Sequence, residues 1–174
     1  PAAGTPIPSL QRLGLAGVAL PRELLAPLVL AFPNLTHLDL SRTRTDAAML
    51  ASLGRSHVRL ESLSLSRCRA LTSESITQLL VYAPAAANLV ELSLEGTLLF
   101  PTPLSREDLR LVLTQAPCML SGRLRYLDLS GCPVSDAELA LMCAQPALLD
   151  LGLSSCPYVS LGGTRELLLL SLIH

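Results

Sequence analysis

Leu124-Arg125-Tyr126-Leu127-Asp128-Leu129-Ser130-Gly131-Cys132-Pro133-Val134-Ser135-Asp136 holds three leucines in the frame L-x-x-L-x-L, a cysteine three places further on, and then two helix-capping residues. The same leucine frame occurs in six gapless copies: Leu10/Leu13/Leu15, Leu35/Leu38/Leu40, Leu60/Leu63/Leu65, Leu89/Leu92/Leu94, Leu124/Leu127/Leu129 and Leu148/Leu151/Leu153. First leucines follow one another at intervals of 25, 25, 29, 35 and 24 residues, against about 20–29 for leucine-patterned repeats in general. Only the fourth copy is oversized.

The last two leucines of each copy lie two apart, so an extended chain points both to one side and the residues between them to the other. Each copy therefore predicts a short strand with one apolar face. Three places after the last leucine stand Val18, Thr43, Cys68, Thr97, Cys132 and Cys156, a position suited to small, buried, hydrogen-bonding side chains. Cys68, Cys132 and Cys156 are read as a structural ladder beneath the turns. Helix starts follow. Thr45-Asp46, Thr72-Ser73-Glu74, Ser105-Arg106-Glu107-Asp108 and Ser135-Asp136 each precede apolar residues at helical spacing. Pro33, Pro84, Pro117 and Pro146 close the helical segments, with Gly54 in that role in the second copy. The first helix, expected over Arg22 to Phe32, should be shortened or kinked by Pro27.

One strand and one helix cannot bury their own apolar faces, so the copies must stack. The expected architecture is α/β: a leucine-rich-repeat solenoid of about six repeats, bent into a horseshoe arc with a parallel sheet on its concave face and helices on its convex face. Residues 1–9 read as a Pro-rich lead-in and residues 10–174 as the repeat domain. Composition agrees, because 44 Leu against three Tyr, two Phe and no Trp would specify an irregular core poorly. The last copy runs into Leu167–Leu170 without a polar cap, so further chain or a partner is expected to cover it.

Thirteen Lys and Arg against fourteen Asp and Glu leave no basic stretch of the kind that neutralises nucleic-acid phosphates. No apolar run approaches the roughly 20 residues of a membrane helix. Five cysteines without a C-x-x-C pair argue against a disulfide framework and a zinc site, and favour a reducing, intracellular compartment, cytoplasmic or nuclear. The expected partner is another protein, without nucleic acid, membrane, small-molecule substrate, metal or cofactor.

The frames L-x-x-L-x-L-S-x-C at Leu60–Cys68, with Leu71-Thr72 after it, and at Leu124–Cys132, with Val134-Ser135-Asp136 after it, resemble the cysteine-containing leucine-rich repeats of F-box proteins. The resemblance covers residues 10 to 172. It implies a ribonuclease-inhibitor-like arc that recruits a substrate protein to a ubiquitin ligase. The Pro-rich opening, Pro1 to Pro8, is unlike the three helices of an F-box, so the repeat and its binding role are what carry over. Non-F-box relatives with such repeats include regulators and assembly factors, some mitochondrial, and imply a second reading as a scaffold or assembly subunit.

Residues flanking the inward leucines should form columns on the concave face: Arg12, His37, Ser62, Glu91, Tyr126 and Asp150, then Gly14, Asp39, Ser64, Ser93, Asp128 and Gly152, then Ala16, Ser41, Ser66, Glu95, Ser130 and Ser154. Arg42 and Arg67 follow at the rim. Arg12, His37, Asp39, Arg42, Arg67, Glu91, Glu95, Tyr126, Asp128 and Asp150 are the candidate protein-binding residues, centred on Tyr126, since Tyr and Arg are enriched at hot spots. Phe100, in the oversized copy, is a candidate insertion anchor. His37 beside Asp39, with Cys68 one repeat away, is the nearest approach to a nucleophile and base, but Cys68 should face the core, so no enzyme activity is expected. Two further expectations concern exposure: Cys118, in the enlarged copy, should be the most accessible thiol, and Glu138 should lie on a solvated helix face. Asp128 should tolerate truncation at little cost.

Overall fold

Six three-residue strands form where the leucine frames place them: β1 Arg12–Gly14, β2 His37–Asp39, β3 Ser62–Ser64, β4 Glu91–Ser93, β5 Tyr126–Asp128 and β6 Asp150–Gly152. The computed structural model describes residues 7–96 and 104–171. The strands pair in sequence order, all parallel, with Leu13, Leu38, Leu63, Leu92, Leu127 and Leu151 in one register row. The four inner members of that row are buried, and with Leu40, Leu65, Leu94 and Leu129 they make the sheet side of the core. The two outer members, Leu13 and Leu151, pack against it half-exposed.

Helices return each coil: α1 Arg22–Leu30, α2 Ala47–Arg55, α3 Ser73–Thr77, α4 Arg106–Gln115, α5 Pro117–Leu120, α6 Asp136–Cys143 and α7 Leu161–Ser171. α2, α3, α4 and α6 start at the capping residues read from the sequence. Asp46 accepts from the Met49 N–H (3.0 Å) and Ser105 from the Asp108 N–H (3.0 Å), and Thr72 and Ser75 close a reciprocal box. α3 widens into a π-helical turn over Gln78–Tyr82. Pro27 sits inside α1 without ending it, although the helix stops at Leu30, two residues before the expected Phe32.

Three expectations are corrected. Gly54 does not end α2 but lies inside it; a β-carbon there would stand 3.0 Å from the Ala83 β-carbon, so glycine lets this helix approach the next coil. Cys118 is fully buried rather than exposed, because Pro117 opens the short helix α5, whose Cys118 and Met119 turn into the core. Glu138 is buried as well. It faces no solvent because its carboxylate accepts from both the N–H and the hydroxyl of Ser135, closing the start of α6.

The turn after each strand repeats more strictly than its side chains suggest. The residue two places beyond the last leucine has positive φ in all six coils: Gly17, Arg42, Arg67, Gly96, Gly131 and Ser155. This left-handed step lets the backbone ladder continue past the strands, with Arg42 N–H donating to Ser66 (2.8 Å), Arg67 N–H to Glu95 (2.8 Å) and Gly96 N–H to Ser130 (2.7 Å). The next residue forms the ladder read from the sequence. The Cys68 thiol donates to the Leu40 carbonyl (3.0 Å), Cys132 to Leu94 (3.3 Å) and Cys156 to Leu129 (3.3 Å). Each thiol thus ties its turn to a carbonyl of the preceding coil, and the carbonyls of Leu40 and Leu129 accept in addition from the N–H groups of Thr43 and Cys132. Cys68 and Cys132 are buried and Cys156 half-buried. Val18, with no coil before it, is exposed rather than buried, and Thr97 and Phe100 lie outside the described residues.

Candidate functional site

Because side chains alternate along a strand, every residue beside a central leucine emerges on the face away from the helices. Parallel pairing aligns these residues into the expected columns: Arg12, His37, Ser62, Glu91, Tyr126 and Asp150 share one register row, and Gly14, Asp39, Ser64, Ser93, Asp128 and Gly152 another. A chain of hydroxyls crosses the sheet just beyond them. Ser41 meets Ser64 at 2.7 Å, Ser64 meets Ser66 at 3.1 Å, Ser66 meets Ser93 at 2.7 Å, and Ser93 donates to the Asp128 carboxylate at 3.4 Å. The middle of the concave face is therefore polar yet internally satisfied.

Asp128 anchors the acidic end of this chain. Its other oxygen accepts from the Ser130 N–H at 2.9 Å, and a β-carbon at position 152 would come within 2.3 Å of it, so the glycine on β6 makes room for the carboxylate. Asp128 is thus tied on both sides, so its truncation is expected to cost more than the sequence alone suggests. Tyr126 lies half-buried beside it; burial first, and then chiefly the charges of Asp128 and Asp150, push its phenol above the ordinary value. The ring therefore stays a neutral donor ringed by carboxylates. Glu91 pairs in register with Tyr126 and is exposed, as is Asp150.

The opposite rim is basic. Arg67 forms an ion pair with Glu95, its Nε donating at 3.0 Å, and lies across Gly96, where a β-carbon would meet its Cγ at 2.9 Å. Arg42 and Arg67 both occupy the left-handed turn position, with φ of 57° and 56°, a conformation that costs a non-glycine residue roughly 1 kcal/mol. They border a recess of about 730 Å³ that also gathers Arg22, Arg44 and Arg69. Reading the chain for contiguous basic runs misses this cluster. Its trace is the R-x-R of Arg42/Arg44 and of Arg67/Arg69, one 25-residue repeat apart.

The structure brings Glu91, Glu95, Tyr126, Asp128 and Asp150 together across β4 to β6, and leaves Arg12, His37 and Asp39 on β1 and β2. His37 shares a 2.8 Å hydrogen bond with Thr36, whereas Cys68 is buried under the turn and donates to a carbonyl, so the two do not pair as base and nucleophile. Burial raises the thiols of Cys68, Cys143 and Cys156 and pushes Cys118 up to about 11, the reverse of an activated cysteine. No metal-holding group of His, Cys, Asp and Glu occurs among the described residues. No helix there is long and apolar enough to cross a membrane.

A parallel sheet of coils with one strand each, tied by thiols and lined by leucine, defines a leucine-rich-repeat solenoid. Residues 123–143, which span β5 and α6, match the family model described as Leucine Rich Repeat, in agreement with that fold. Compared with curated proteins, the chain matches none.

Proposed function

We propose that the concave face of this repeat domain docks another protein, and that it does so as a recruiter that presents a bound substrate protein for ubiquitylation. The observation that carries the docking reading is the cluster around Tyr126: one aromatic donor set among four carboxylates from three adjacent strands, on a sheet whose other side is fully occupied by the core. A neutral, half-buried tyrosine with only two side-chain torsions to fix presents its ring at little entropic cost, and such rings are enriched among residues that dominate binding. The carboxylates steer and select a partner surface rich in Lys and Arg. The recruiting role rests on the resemblance to F-box repeat domains, with an assembly subunit as the competing reading.

The test is partner capture by wild type, Tyr126→Ala, Glu91→Lys and the helix variant Glu74→Lys, followed by a ubiquitylation assay on the captured protein. Tyr126→Ala should weaken capture by about 2 kcal/mol or more if the ring is a hot spot, Glu91→Lys should slow association, and Glu74→Lys, exposed on α3, should change neither. Loss of capture by Glu74→Lys alone would move the site to the convex face. Capture without ubiquitylation would favour the assembly subunit.

A further inference from the structure

Five arginines converge on the recess at the turns of the first three coils, and the repeat itself arranges them. Arg42 and Arg67 stand one coil apart, as do Arg44 and Arg69, so four side chains rise from a two-by-two grid, and Arg22 at the start of α1 completes the ring. Adjacent strands of a parallel sheet are separated by about 4.8 Å. Thr43 and Ala70 line the recess beside them. Arg22 has the Asp46 carboxylate 3.7 Å away, and Arg67 is paired with Glu95. Arg42 and Arg44 form no ion pair among the described residues. The pocket thus keeps a surplus of positive charge although the whole chain has a net charge of −1.

We propose that this recess binds a phosphoserine or phosphothreonine side chain carried by an extended segment of a protein partner. A phosphate monoester presents three terminal oxygens and nearly two negative charges, so several guanidinium groups can fork onto it together. A carboxylate has two oxygens and a single negative charge, which one guanidinium neutralises, so a grid of arginines exceeds what an acidic residue needs. A nucleic acid would carry its line of phosphates out of the recess and on to the carboxylates of Glu95, Asp128 and Asp150. A membrane surface calls for large apolar or aromatic side chains that insert beside the basic ones, and the lining offers only the methyl group of Ala70 beside Thr43 and the arginines. The backbone adds an independent observation. At the equivalent turn position three coils use glycine and the last a small serine, yet Arg42 and Arg67 hold the left-handed conformation with a long charged side chain. Strain retained at two neighbouring turns, both aimed at one recess, points to a use for the side chains rather than for the turn.

This inference rests on the reading of the chain as a protein-binding repeat domain; the recess adjoins the Tyr126 cluster at Glu95 but uses the arginines rather than the ring. The experiment measures binding of the full chain to a degenerate peptide pool with a central phosphoserine or phosphothreonine, to the same pool unphosphorylated, and to a pool with Glu at that place. Vesicles of phosphatidylcholine with phosphatidylserine and a single-stranded RNA serve as further probes. Wild type should prefer the phosphorylated pool over the other two by about tenfold or more. The double variant Arg42→Gly/Arg67→Gly should lose that preference while melting no lower than wild type, because glycine suits both turns; Arg44→Gln/Arg69→Gln, outside the strained positions, should lose it too. Tyr126→Ala should keep it. Equal binding of all three pools, full binding by both arginine variants, or tighter arginine-dependent binding to vesicles or RNA would overturn the proposal. Phosphate-independent binding of a partner that Tyr126→Ala abolishes would remove the recess proposal and leave the concave-face reading standing. Loss of partner binding by neither site's variants would remove both.

Discussion

The two faces of the sheet are built from adjacent residues of the same strands, and they obey opposite rules. Facing the helices, the central position is leucine in all six coils; facing away, the position before it is Arg12, His37, Ser62, Glu91, Tyr126 and Asp150, six different residue types. Sameness on one side is what lets successive coils pack in register, since each leucine meets its own copy above and below. On the other side the backbone alone determines position, so any side chain is carried to a known place. Stability lives in what repeats, and recognition in what does not.

The sharpest way to break this comparison is Leu127→Ala, expected to cost about 2–5 kcal/mol in urea melts because the site is buried within a stack that cannot collapse. Its neighbour Asp128→Ala should cost about 1–2 kcal/mol, the loss of hydrogen bonds to a charged group. Equal losses would show that the outward side is as structural as the inward. On the helix layer, Glu138→Lys should cost about 2 kcal/mol, since the buried carboxylate satisfies two donors of Ser135, while Glu74→Lys should stay within about 0.5 kcal/mol. Thermal melts of the pair separate a carboxylate that closes a helix start from one that merely faces water. At the turns, Gly131→Ala should destabilise by about 1 kcal/mol, whereas Ser155→Gly, also at positive φ, should be neutral or stabilise by up to about 1 kcal/mol. Opposite signs in the two melts would confirm that the left-handed step is common to both coils. Thiol labelling perturbs least: Cys143 and Cys156, half-exposed, should react in the native protein, and Cys68, Cys118 and Cys132, all buried, only on unfolding. Rapid native labelling of Cys132 would contradict its bond to Leu94.

The strands, their register and the thiol ladder were legible in the sequence because each depends on residues within a single copy. Leu63 and Cys68 carry their instructions locally, by alternation and by distance from the last leucine. What escaped reading depends on relations between copies. Cys118 seemed to belong to a surface insertion, yet Ala116-Pro117-Cys118-Met119 starts a helix at its proline and sends two apolar side chains inward. Glu138 carries the chemistry of a capping-box carboxylate, and its burial follows from the coil that covers it. The arginine cluster needed the 25-residue repeat to be read as a spatial neighbourhood. The left-handed turn position was visible as Gly17, Gly96 and Gly131 at one offset in three copies, and only the arginines at the same offset obscured it.

Among the described residues each coil is joined to its neighbours through a strand pair, a turn hydrogen bond and, at Cys68, Cys132 and Cys156, a sulfur. Under tension applied to the two ends such a molecule has no bond that spans its length and bears the whole load. It should pay out like yarn from a skein, one coil per rupture. A 25-residue coil drawn straight lengthens the chain by about 85 Å and the 35-residue one by about 120 Å, so the order of long and short steps in a force trace would reveal which end lets go first.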